Sequence, residues 1–72
     1  MKLVDAIKEC YTADQFNGVR SCLSNPQLLE NAAIYCFTFP NEVSPEATRT
    51  LRVAMQHLRT VGVMLPLQDE IN

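Results

Sequence analysis

One histidine, three cysteines and eight carboxylates are among the side chains of this chain that could act as nucleophile, base or metal ligand. His57 is the sole imidazole, so a Cys-His nucleophilic pair needs a thiol beside it and a third group orienting the ring. Its position, about 80° to one side of an arginine arc on a helical wheel, brings neither, and the ring reads as partly exposed and inert. Cys10, Cys22 and Cys36 lie 12 and 14 residues apart with no C-x-x-C pair. Each falls in or beside an apolar pattern, as buried free thiols do, so a reducing compartment is expected, with neither disulfide nor metal. Asp5 and Glu9 stand four apart next to Lys8, the spacing of an ordinary solvated helix face. No Gly-rich phosphate loop, H-x-x-x-H or calcium loop occurs, and the sequence predicts no enzyme and no cofactor.

The remaining chemistry is basic. Arg49, Arg52 and Arg59, with Gln56 between them, fall on one arc of a helix and make up half of the six Lys and Arg residues. Opposite them Ala47, Leu51, Ala54, Leu58, Val61 and Leu65 recur four, three, four, three and four apart, with Met55 widening the stripe. That spacing predicts an amphipathic helix over 44–65, about six turns long. A solvated polar face is the plain reading of the arginine arc. Val53, about 40° from Arg49 on the wheel, with Val63 and Met64, also points away from the apolar stripe. Guanidinium groups beside exposed apolar side chains are the composition of protein contacts. The predicted partner-binding residues are therefore Arg49, Arg52, Val53, Gln56, Arg59, Val63 and Met64.

The elements that position this face follow from cap and turn chemistry. Leu3, Val4, Ile7, Cys10 and Tyr11 predict a short helix within 1–11. Thr12-Ala13-Asp14-Gln15 is a capping box that opens a second over 12–24, with Phe16, Val19, Cys22 and Leu23 inward and Gly18 weakening it by about 1 kcal/mol. Ser24-Asn25-Pro26 starts a third over 25–38, carrying Leu28, Leu29, Ala32, Tyr35 and Cys36. Its end is open to two readings, because Ile34 to Phe39 is β-branched and aromatic. A strand has no partner in the chain, so helix running into an extended tail is the expectation. Phe39 to Val43 makes a loop, Ser44-Pro45-Glu46 caps the last helix with Val43 placed to staple onto it, and Gly62 and Pro66 end it. Residues 66–72 read as an acidic tail. The expected fold is all-α: one domain, a small four-helix bundle.

Seventy-two residues of net charge −2, with five aromatics and no Trp, supply a small core. An oligomer, a partner or unusually regular helix packing is expected to supplement it. The last helix fits a coiled-coil seam for under three heptads, too few to specify a dimer, and packing on the other helices is the expected use. No signal-like or membrane-length apolar run is present, which predicts a cytoplasmic chain with no membrane contact. The third helix has no basic residue, so it is no recognition helix. Acids Asp5, Glu9, Asp14, Glu30, Glu42 and Glu46 fill the first part of the chain, whereas residues 47–65 hold only bases. The expectation is a small adaptor, regulator or inhibitor that binds a protein with an acidic or mixed acidic-apolar surface. The alternatives are a dimeric nucleic-acid-binding regulator using the same arginines, and a structural subunit of an oligomer.

Overall fold

The computed structural model describes residues 1–72 as an all-α chain with no strand. Four α-helices follow in order: α1 (Leu3–Lys8), α2 (Ala13–Val19), α3 (Pro26–Thr38) and α4 (Pro45–Val61), with a 3₁₀ turn at Arg20–Cys22 after α2. None of them is long and apolar enough to cross a membrane.

Three of the four starts are made by the caps in the sequence. The Thr12 hydroxyl accepts from the Gln15 amide at 3.2 Å, and the Gln15 side chain accepts from the Thr12 amide at 3.2 Å. Asn25 accepts from Gln27 N–H at 2.9 Å ahead of Pro26, and Ser44 from Ala47 N–H at 3.1 Å ahead of Pro45. Each satisfies a first-turn N–H that the helix itself leaves unpaired. The fourth start is closed by the other end of the chain: Val4 N–H of α1 donates to the Leu67 carbonyl at 2.9 Å.

α1, α2 and α4 end earlier than the sequence predicts. α4 stops at Val61, not at residue 65, because Gly62 turns left-handed at φ 87° and its N–H closes on the Leu58 carbonyl at 2.8 Å. Glycine adopts that conformation without the Cβ penalty other residues meet, which makes it a decisive stop. Leu65 is therefore off the helix, and Val61 is 57% exposed rather than part of the buried stripe. The second helix is likewise shorter than 12–24: it passes into the 3₁₀ turn after Val19, and this turn carries Cys22 to the surface instead of the core. α1 spans less than 1–11. α3 stays helical through Thr38, so residues 34–38 are not extended.

α4 is the hub. α1 packs along one side of it and α3 along another, while α2 packs chiefly with the 3₁₀ turn that follows it. Leu3, Ala6 and Ile7 from α1, Leu29, Ala32, Ala33 and Cys36 from α3, and Ala47, Leu51, Ala54 and Met55 from α4 form most of one apolar core, joined by Val43, Cys10, Phe16 and Leu23. Thr50 is also buried there, its hydroxyl donating to the Glu46 carbonyl at 2.9 Å.

The acidic tail is not a free tail. Met64, Leu65, Leu67 and Ile71 pack half-buried against the core. Ile71 N–H donates to the Met1 carbonyl at 2.9 Å, and Lys2 and Glu70 form an isolated bridge. The Met1 ammonium lies 2.6 Å from Glu70 and 3.4 Å from Glu46, and its hydrogen bond to Glu70 raises its pKa above the ordinary value.

Candidate functional site

The outward face of α4 carries the arginines as the spacing requires, and the ion pairs of the chain are elsewhere. Both belong to the Met1 ammonium, so Arg49, Arg52 and Arg59 are exposed with no carboxylate within 4.0 Å. Exposed guanidinium groups without internal partners keep all their donors available to another molecule.

Arg52 is central to this face. With Arg49 and Thr48 it borders the open cleft beside the Pro40–Ser44 segment and the start of α4. On its other side Arg52, Gln56 and Arg59 edge a depression of about 170 Å³ between α3 and α4, whose remaining lining is Glu30, Ala33, Ile34, Phe37 and Met55. Ala33 and Met55 are 5% and 8% exposed and belong to the core, so they form its floor. Ile34 and Phe37, 57% and 60% exposed, stand at its rim. The Arg52 guanidinium lies 6.0 Å from the Phe37 ring centroid, at the outer range of a cation–π contact. Farther round the helix Val53, 38% exposed, shares a shallow surface with His57 and Val61.

The residues expected in the site divide. Arg49, Arg52, Val53, Gln56 and Arg59 lie together on α4, Gln56 donating to the Thr60 hydroxyl at 3.2 Å. Val63 is exposed, but beyond Gly62 it no longer shares the helix face. Met64 is withdrawn from the surface: the turn at Gly62 redirects the chain so that this side chain packs on the core.

Ile34 and Phe37 are the residues that sequence reasoning missed. The buried residues of α3, Leu29, Ala32, Ala33 and Cys36, make one stripe, and Ile34 and Phe37 fall outside it once the helix runs on to Thr38. The 3.6-residue period held that signal. Reading 34–39 as a change towards extended chain concealed it.

The three thiols divide between core and surface, with Cys22 exposed. Cys10 and Cys36 are buried, and burial pushes the Cys10 thiol up to about 11 and raises that of Cys36 as well. The Cys10 Sγ donates to the Ala32 carbonyl at 3.4 Å and serves the core. Glu9 is exposed, as a solvated helix face requires, and also accepts from Ser44 N–H and from the Ser44 hydroxyl, both at 3.0 Å, tying the end of α1 to the cap of α4. No three His, Cys, Asp or Glu side chains gather where a metal could be held.

Compared with protein-family models, with curated proteins and with solved structures, the chain shows no match.

Proposed function

We propose that this chain is a small non-enzymatic interaction module of the cytoplasm, an adaptor, regulator or inhibitor, that binds another protein through the outward face of α4. In this reading the four helices act as one small bundle whose task is to hold that face rigid. The observation that carries the proposal is the juxtaposition of three unpaired arginines, Arg49, Arg52 and Arg59, with the exposed Ile34, Phe37 and Val53. Arginine beside apolar and aromatic side chains is the composition found at the energetic centres of protein contacts. The partner it suits has an acidic or mixed acidic-apolar surface, since the cations steer and the apolar groups hold.

The test is affinity capture with the wild-type chain and with the double variant Arg49→Glu, Arg52→Glu at 50 and 200 mM salt. A stoichiometric protein complex that persists at 200 mM and is lost in the variant, with the helical circular dichroism signal unchanged, is the expected result. Binding to unrelated DNA that weakens by orders of magnitude over that salt range would instead support a nucleic-acid-binding regulator. Equal capture by both chains would reduce the arginine arc to a solvated face.

A further inference from the structure

We infer that the depression between α3 and α4 receives one large apolar side chain from an acidic amphipathic helix, whose carboxylates, two turns apart, pair with Arg52 and Arg59. The inference rests on the preceding reading of the α4 face and names the occupant.

The geometry supplies its terms. Arg52 and Arg59 are seven residues apart on one helix, so they sit on nearly the same side and about 10.5 Å apart along the axis. The depression lies along the seam between them and α3, with an apolar floor of Ala33 and Met55. Ala33 is why there is a depression: a methyl group on α3 leaves room that a longer side chain would fill. Ile34 and Phe37 raise its rim on one side and the arginines on the other. A helix laid along this seam places residues i and i+7 beside Arg52 and Arg59, and residue i+3 over the floor. This is the helix-in-groove mode, in which apolar anchors give affinity and flanking charges give register.

Charge selects among possible occupants. A second copy docking with its twofold axis at this groove would set Arg49, Arg52 and Arg59 against the same three, with Glu30 and Glu42 the acids beside them to offset the repulsion. A nucleic acid would use the arginines but not the apolar floor and rim, and the chain as a whole carries −2. An acidic helix with an apolar stripe matches both halves of the surface. Glu30, which lines the same groove, opposes such a partner and limits its affinity.

The probe is a synthetic helical peptide with Glu at i and i+7 and Leu at i+3, titrated into the isotope-labelled full chain and followed by amide chemical shifts. Controls are a scrambled peptide of equal composition, the peptide with Lys in place of both Glu, and duplex DNA. Saturable shifts are expected at Ala33, Ile34, Phe37, Arg52, Met55 and Arg59, with the scrambled peptide about tenfold weaker or worse, the equivalent of roughly 1.4 kcal/mol. Arg52→Glu with Arg59→Glu lowers affinity about tenfold or more, Phe37→Ala lowers it several-fold, and Glu30→Gln raises it. All four positions are exposed, so the variants keep the fold. Equal binding of the scrambled or Lys peptide, shifts centred elsewhere, or tighter binding of DNA overturns the inference. If no peptide binds while the capture experiment still yields a complex sensitive to Arg49 and Arg52, this inference falls and the proposed function stands. If both fail, both fall.

Discussion

Ile7 and Ile34 are the same side chain on the two helices that flank α4, yet one is 0% and the other 57% exposed. On the α1 side, Leu3, Ala6 and Ile7 are fully buried, and Glu9 then bonds across to the cap of α4. On the α3 side the seam closes over Leu29, Ala32, Ala33 and Cys36, then opens into a groove edged by Ile34, Phe37 and three side chains of α4. The α1 flank thus spends its apolar groups on stability, whereas the α3 flank leaves two of the largest in water. Large exposed side chains gathered beside arginines mark a surface in use more than scattered ones do.

This contrast can be broken most forcefully at Ile7. Ile7→Ala removes fully buried methyl groups and is expected to cost about 2–5 kcal/mol, read as a lowered midpoint of denaturant unfolding. For a chain this small that loss approaches the whole of its stability.

A slightly smaller effect is expected from alkali, through the thiol that joins both flanks. Cys10 follows α1 and donates to Ala32 of α3, and burial moves it from an ordinary value of 9.0 to about 11. Below pH 9 both the folded and unfolded chains hold this proton, and its contribution is fully present. Between 9 and 11 only the unfolded chain releases it, so stability falls as pH rises, by on the order of 2–3 kcal/mol. Unfolding measured across that window should show the decline in the wild type and a flatter profile in Cys10→Ala.

Ser44→Ala sharpens the comparison on the α1 side alone. It removes the cap of α4 and one of the two bonds to Glu9, with an expected loss of about 1 kcal/mol. The smallest effects belong to the other flank. Ile34→Ala and Phe37→Ala should each change stability by less than about 0.5 kcal/mol while weakening partner binding. A large destabilisation at either position would make the α3 rim part of the core and remove the distinction.

What was legible from the sequence was local. Thr12 with Gln15, Asn25 with Pro26 and Ser44 with Pro45 begin helices because each cap needs only residues within one turn of itself. Ala47, Leu51, Ala54 and Met55 turn inward, and Arg49, Arg52 and Arg59 outward, because a 3.6-residue period fixes both faces together. Where two local signals competed, the stronger one won: the apolar spacing ran on to Leu65, the glycine argued for an end at Gly62, and its left-handed turn prevailed. Once the chain turned there, Met64, Leu65, Leu67 and Ile71 could reach the core, and Val61 was left outside.

The long-range facts had no local trace. Glu9 meets Ser44 across 35 residues, and the Leu67 carbonyl closes the start of α1. Ile34 and Phe37 come to border Arg52 and Arg59 only because α3 packs along α4. By itself the sequence determined where three of the helices begin and which face of α4 is basic, since those depend on neighbours in the chain. Which apolar groups remain uncovered was decided by how the helices pack, since burial depends on neighbours in space.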